Sequence, residues 1–548
     1  MRHRVGTPPS LRVQASPSRY SAAFSRVGPR VASWTPPGCS GDVGTFRPGG
    51  DVVCPLVGEN ARVDASERVV VVGGGPGGYE AALVAAQLGA EVTVVQDEGP
   101  GGAAVLTDAV PSKTLIAAAE MASLMCSAGA MGLWPLPSGE GATGSRGAEG
   151  VPSRPVGVDL AVVNRRVRDL ARAQSQDVER RLLAEGVRIV RGTGRLDGAG
   201  KVVVRCPSGE SPVLSADTVL LATGARPRQL PDAPCDGERI LTWKQVYDLP
   251  GLPERLIVVG SGVTGAEFAS AYDALGAGVV LVSSREVVLP GEDPDAAAVL
   301  QDVFRRRGME VMSRSRARSV GRRGDGVVVT LEDGRTVEGS HCLLAVGSVP
   351  NTEGLGLEEA GVRVTAGGHI RVDRVSRTSV PGVYAAGDCT GVHALASVAA
   401  MQGRIAMRHA LGDAVSPLDL RTVAANVFTS PEIATVGWTQ REIDAGEVPA
   451  KVVRLPLATN PRAKMVGIRD GFVKIFRGAR TGEVLGAVVV APGASELIFP
   501  LTLAVQHRLT VDDVARAFTV YPSLSGSLAE AARCRRSPDS DCCSGSSA

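Results

Sequence analysis

Apolar positions along this chain fall into two kinds of pattern: short continuous runs that end in glycine-rich turns, and longer stretches where they recur every three or four residues. The clearest run is Arg68-Val69-Val70-Val71-Val72, whose unbroken valines predict a strand buried on both faces. It enters Gly73-Gly74-Gly75-Pro76-Gly77-Gly78, and the spacing then predicts a helix over Tyr79–Leu88, stopped by Gly89, and a second strand over Val92–Val95. The same succession recurs at Leu256-Ile257-Val258-Val259, Gly260-Ser261-Gly262-Val263-Thr264-Gly265 and a helix over Ala266–Leu275, with a strand at Val279–Val282. Helical spacing is also present from Thr114 to about Met125 and from Asp159 to Glu185, the latter with arginines on its solvated faces. Strand-like runs at Val187–Val190, Val202–Val204 and Thr218–Ala222 are expected to return the chain to the first sheet. From about Ala424 the texture changes to alternating strands, including Gly471–Phe476 and Val484–Val490, followed by helices over Ser495–His507 and Val511–Ala517.

These elements predict an α/β protein with two Rossmann-like dinucleotide-binding domains and a C-terminal α+β domain. The expected boundaries are 67–250 for the first dinucleotide-binding domain, 251–340 for the second, 341–418 for a return to the first, and 419–533 for the C-terminal domain. Residues 1–66 have no sustained period, are rich in Pro, Ser, Gly and Arg, and contain no acidic residue before position 40. An overextended start or a disordered leader is expected there, although organelle transit peptides share the composition. Residues 135–157 predict a surface loop, and 534–548 a polar disordered tail carrying Cys542-Cys543.

Composition narrows the chemistry. A net charge of +2 over 548 residues offers no field for nucleic acid. No run approaches the ~18 apolar residues of a membrane span. The ten cysteines are scattered without metal-ligand spacing, so no metal is expected and a reducing cytoplasm fits best.

In each glycine turn the glycines (Gly73, Gly75 and Gly78; Gly260, Gly262 and Gly265) permit the tight bend, close approach to a pyrophosphate and helix–strand packing, while the helix N-terminus supplies free N–H groups. Two complete units imply two dinucleotides and electron transfer between them. The ribose-binding acid expected after the second strand of the first unit is absent; either Gln96 or the neighbouring Asp97 takes its place. In the second unit Ser283-Ser284-Arg285 stand where an NAD-selective carboxylate is usual, which would tolerate or favour a 2′-phosphate; exposed turn residues without that role are the alternative.

The stretch Gly101-Gly102-Ala103-Ala104-Val105-Leu106-Thr107-Asp108-Ala109-Val110-Pro111-Ser112-Lys113 resembles the flavin-linked disulfide reductases, in which Gly-Gly-x-Cys-x-x-x-x-Cys-x-Pro-Ser-Lys holds a redox-active cysteine pair against the flavin. Here Ala104 and Ala109 occupy the two cysteine positions. Ala222-Thr223-Gly224, Val346-Gly347-Ser348-Val349-Pro350-Asn351 and Val383-Tyr384-Ala385-Ala386-Gly387-Asp388 resemble further blocks of that family in the same order. The family's partner-subunit His-Pro-Thr-Leu-Ser-Glu segment corresponds to Tyr521-Pro522-Ser523-Leu524-Ser525-Gly526, so both members of its acid–base dyad are replaced. These features, with Ala399-Ala400-Met401-Gln402-Gly403-Arg404, are similar to the actinobacterial NAD(P)H:quinone reductases over about Glu67 to Arg533.

The resemblance implies FAD held by Gly73, Gly75, Gly78, Gln96 or Asp97, Gly102, Lys113, Thr223, Gly224, Gly387 and Asp388. It implies NADPH or NADH held by Gly260, Gly262, Gly265, Glu267, Ser283, Ser284, Arg285 and Gly347. Lys113 is expected beside the flavin N5 and paired with Glu267. A C-terminal domain of this type makes a homodimer, and the space next to Ala104, Ala109 and Tyr521 is expected to take a flat quinone, reached by peripheral membrane contact if the quinone is lipid-borne. Disulfide chemistry needs a thiolate pair and a base to ionise it. A dihydrolipoamide dehydrogenase would need the missing pair, a mercuric reductase would depend on Cys542 and Cys543, and a non-catalytic flavin sensor would need neither.

Overall fold

The computed structural model describes residues 66–133 and 157–534; the leader through residue 65, the segment 134–156 and the tail beyond Cys534, with Cys542 and Cys543, lie outside these. Arg68–Val72 is the centre of a parallel five-stranded sheet, flanked on one side by Glu91–Gln96 and Arg188–Arg191 and on the other by Thr218–Leu221 and Val383–Ala385. All four of its valines are buried, as a strand covered by helices on both faces requires. Arg255–Val259 repeats the arrangement at the centre of a second parallel sheet, between Gly278–Val282 with Glu310–Met312 and His341–Leu344 with Ile240–Thr242.

The second sheet corrects the expected boundaries at 250 and 340. Ile240–Thr242 and His341–Leu344 are strands of it, too short and too uniformly apolar to reveal which sheet they join. Val202–Val204 is corrected as well: Lys201–Arg205 pairs antiparallel with Thr193–Leu196 and Val213–Ser215 in a sheet of its own. The helix expected from Thr114 begins at Ala109, with Pro111 tolerated in its first turn. The one expected over Ser495–His507 is two, Ala494–Leu497 and Phe499–Gln506, divided at Ile498 just before Pro500.

The glycine turns have nearly superposable constraints. Gly73 has φ +108° and a side chain there would sit 2.2 Å from the Ala222 carbonyl oxygen; Gly260 has φ +112° and faces the Ala345 carbonyl oxygen at the same 2.2 Å. Each turn leads into a helix, Pro76–Gln87 or Val263–Ala274, whose N-terminus has no side-chain cap. Pro76–Gln87 packs on Ala396–Ala410, where a side chain at Gly403 would meet the Gly77 carbonyl oxygen at 2.1 Å. This contact fixes the neighbouring Gln402, which is buried and accepts the Gly387 N–H at 2.8 Å, holding the Gly387-Asp388 turn in place.

The C-terminal region forms an antiparallel five-stranded sheet in the order Ala425–Val427, Glu432–Gly437, Val484–Ala491, Phe472–Gly478, Ala450–Pro456. Lys474 of this sheet is fully buried, its ammonium bonded to both Asp293 carboxylate oxygens at 2.9 and 2.8 Å and paired with Asp295 at 2.5 Å. Asp293 also caps the helix Pro294–Arg306 of the second dinucleotide unit, so one buried ion cluster fastens the two domains.

Candidate active site

A cavity of about 2280 Å³ runs along the C-terminal ends of the first sheet and on between the second unit and the C-terminal domain. Ligand pockets are usually ~300–1,000 Å³, so this one has room for more than one ligand. It collects most of the residues singled out in the sequence: Gly73, Gly75, Gln96, Asp97, Gly102, Ala104, Ala109, Lys113, Thr223, Gly224, Glu267, Gly347, Gly387 and Asp388 all line it. Gly260, Gly262, Gly265, Ser283, Ser284 and Arg285 are outside its lining, at the end of the second sheet.

At the first turn the polar groups are set for a phosphate-bearing dinucleotide. Gly75 is the uncapped N-terminal residue of its helix, with no acidic side chain in the first turn and open space where a side chain would be. Gln96 ends the adjacent strand, is buried, and its side-chain oxygen has no hydrogen-bond partner. A buried amide oxygen left unpaired costs about 1–3 kcal/mol, which a ligand hydroxyl at that point would recover. Asp97, by contrast, is exposed and accepts the Glu98 N–H at 2.9 Å. Asp388 lines the other side, and burial followed by the nearby Asp108 charge pushes its carboxyl up from the ordinary value, with His369 acting in the opposite direction.

Lys113 and Glu267 meet where the two nucleotide units converge. The Lys113 ammonium donates to Glu267 Oε2 at 2.8 Å, while Glu267 Oε1 accepts the Phe428 N–H at 2.9 Å. The Phe428 ring lies 4.8 Å from the ammonium, within cation–π range. Glu267 is buried and Lys113 is one-third open to the cavity, so the pair presents its positive end to whatever the cavity holds. The first dinucleotide unit, the second and the C-terminal domain thus each contribute one group. The Glu267 partnership with Phe428 was invisible in the sequence because the two residues are 161 positions apart.

Two expected positions differ. Ser283 is fully buried and its hydroxyl is engaged with Ser261 Oγ at 2.7 Å and with the Arg285 backbone, so it shapes the turn instead of facing a ligand. Ser284 and Arg285 remain exposed. Tyr521 is 82% exposed and does not line the cavity within one chain; with Phe518 and Val520 it forms an uncovered apolar segment. None of the described cavity-lining residues is a cysteine, and the described cysteines form no disulfide. Asp108, inside the motif but given no role from the sequence, also lines the cavity.

Residues 67–403 match the model of the pyridine nucleotide-disulphide oxidoreductase family and 423–532 match that family's dimerisation domain, and the chain belongs to this family of oxidoreductases. Among individual relatives, it is 54% identical over 475 residues to the NAD(P)H dehydrogenase (quinone) of Mycobacterium tuberculosis, covering 85% of this chain and 93% of that one. It is 33% identical over 467 residues to the dihydrolipoyl dehydrogenase of Zymomonas mobilis, covering 84% and 96%. The crystal structure of LpdA from Mycobacterium tuberculosis matches with a TM-score of 0.79 at 53% identity, over 85% of this chain and 99% of that one. Among the described residues no helix is long and apolar enough to cross a membrane.

Proposed function

We propose that this chain is an FAD-dependent NAD(P)H:quinone oxidoreductase that acts as a cytoplasmic homodimer and passes electrons to its acceptor without a redox disulfide. The observation that carries the reading is the cavity wall itself: Ala104 and Ala109 stand where thiols would be needed, while the Lys113–Glu267 pair beside them is intact. The 54% identity to a protein named for quinone reduction supports the same acceptor class.

When bound, FAD supplies a two-electron carrier that takes hydride from NAD(P)H and reduces the quinone. The N–H groups at Gly75 would bind its pyrophosphate, the free oxygen of Gln96 its ribose, and Asp388 its ribityl hydroxyls. Lys113 holds positive charge where negative charge develops on reduction, and Glu267 fixes the ammonium's position. The uncapped helix at Gly262 would bind the second pyrophosphate, with Ser284 and Arg285 at the ribose end admitting NADPH as well as NADH. The family's dimerisation domain and the exposed Phe518–Tyr521 segment support a homodimer in which Tyr521 of the partner subunit closes the acceptor slot.

Steady-state turnover with NADPH separates this from the other readings. A soluble naphthoquinone should be reduced and lipoamide should not, and Cys542→Ser with Cys543→Ser should leave the quinone rate intact. Lipoamide reduction, or loss of turnover in the double variant, would overturn the proposal.

A further inference from the structure

Reduction of a quinone to a hydroquinone consumes two electrons and two protons, and a hydride equivalent delivers both electrons but only one proton. The overall balance is NAD(P)H + H⁺ + quinone → NAD(P)⁺ + hydroquinone, so a second proton has to reach one quinone oxygen from the protein or from water. The chain has replaced the partner-subunit acid–base dyad with Tyr521 and Gly526, which leaves that task without an assigned group.

Most carboxyls that line the cavity are already engaged. Glu267 is held by Lys113 and Phe428, Asp293 by Lys474, Glu442 by Thr439 and Arg421, and Glu353 by Arg226. Asp97 accepts a backbone N–H and Asp444 a glutamine amide. Among the described lining residues three carboxyls have no hydrogen-bond or ion-pair partner: Asp388, assigned above to the ribityl hydroxyls, Glu292, next to the Asp293 that pairs with Lys474, and Asp108. Of these only Asp108 belongs to the segment that carries Ala104, Ala109 and Lys113. It occupies the N-cap position of Ala109–Ser127, where an aspartate normally accepts a backbone N–H, yet its side chain makes no capping bond. It lines the cavity together with Ala104, Ala109 and Lys113, lies between Ala104 and Lys113 in the sequence and directly precedes Ala109.

Resting on the reading of the preceding section, we infer that Asp108 is the proton donor to the quinone oxygen. Its carboxyl O–H breaks as the oxygen–hydrogen bond of the hydroquinone forms, and the resulting carboxylate recovers a proton from water in the cavity. The surroundings favour that role. The Asp108 side chain is exposed to the cavity but surrounded by its walls, and the partial loss of hydration there, the largest influence, raises the carboxyl from its ordinary value. Lys113 pulls it down, Glu267 raises it and Lys244 lowers it. Asp388 and Tyr247 also feel its charge, so these are the groups that face it from the neighbouring elements. The opening to the cavity supplies the route for reprotonation.

The test compares the flavin-loaded dimer with its Asp108→Asn, Asp108→Glu and His393→Gln variants, His393 being another titratable group of the lining. The acceptors are a soluble naphthoquinone, which needs the proton, and ferricyanide, which takes electrons alone. Asp108→Asn should lower the ratio of quinone to ferricyanide turnover by about 10²-fold. Asp108→Glu should recover most of it, and His393→Gln should not change it. Quinone turnover in the wild type should fall as pH rises through the Asp108 pKa, and this limb should vanish in Asp108→Asn. Infrared difference spectra across the same pH step give a readout independent of activity: the protonated-carboxyl C=O band of the wild type should lose one component in Asp108→Asn, while the components from other raised carboxyls such as Asp273 and Asp388 remain. An unchanged acceptor ratio, or an unchanged infrared band, overturns the inference. Failure of the wild type to reduce any quinone would instead sink the parent reading.

Discussion

Replacing Glu267 probes the one point at which all three domains meet. The carboxylate is buried and its oxygens are divided, one to the Lys113 ammonium at 2.8 Å and one to the Phe428 N–H at 2.9 Å. Glu267→Gln can keep the bond from Phe428 through its amide oxygen, but it turns an N–H₂ toward an ammonium. The loss is one charge-assisted hydrogen bond, ~1.5–3 kcal/mol when dry. With Lys113 one-third open to solvent, screening reduces this to about 1–2 kcal/mol. Glu267→Leu also leaves the Phe428 N–H unpaired at a further ~1–3 kcal/mol, for a total of about 2–5 kcal/mol. Denaturant midpoints of the flavin-loaded protein, followed by flavin fluorescence and far-UV circular dichroism together, should rank wild type above Gln and Gln above Leu. The reduction rate with NADPH should fall in both variants, because each frees the ammonium to move. Gln and Leu variants equal to one another would refute the role of the Phe428 bond. Both equal to wild type would refute the three-domain junction itself.

Lys474→Met should destabilise by ~3–5 kcal/mol, because it leaves the buried Asp293 carboxylate without its counter-charge while Asp295 can turn to solvent; a thermal melt detects the loss. Asp273 sits at the C-terminal end of the helix Val263–Ala274, where negative charge opposes the helix dipole, and burial raises its carboxyl to about 6. A raised folded value means that its contribution to stability is complete below the unfolded value near ~3.9 and is lost as pH rises through about 6. Asp273→Asn should therefore stabilise the protein at pH 7–8, by on the order of 1–2 kcal/mol, with no gain at pH 4. Arg285→Ala should raise KM for NADPH about tenfold and leave KM for NADH nearly unchanged; a strong preference for NADH that survives the substitution would remove Arg285 from the 2′-phosphate site.

How much of this was legible in the sequence depended on whether the physics was local. Unbroken β-branched and aliphatic residues before a glycine turn favour a covered parallel strand, and the sheets formed around Arg68–Val72 and Arg255–Val259 in keeping with that pattern. Lys113 and Glu267 were paired from family resemblance, and their 2.8 Å contact follows from the convergence of the two helices that carry them. Strand membership was harder. Val202–Val204 is as apolar as the true sheet strands, and only long-range pairing decides which sheet it joins. Ser283 sits in the right loop, but whether a hydroxyl faces a ligand or its own turn depends on the Ser261 contact across 22 residues. Asp108 was overlooked because the helix was expected to begin at Thr114, and only the structure starts it at Ala109 and places Asp108 at an N-cap position where it caps nothing.

The central claim is that electrons pass from NAD(P)H to a quinone with no thiol between them. Anaerobic stopped-flow mixing of the flavin-loaded protein, after alkylation of its accessible cysteines, with NADPH tests it directly. The account predicts rapid loss of oxidised-flavin absorbance, no thiolate–flavin charge-transfer band, and full return of colour on adding a naphthoquinone. Absorbance that stays unchanged with NADPH, or that returns only with a disulfide acceptor, would contradict it.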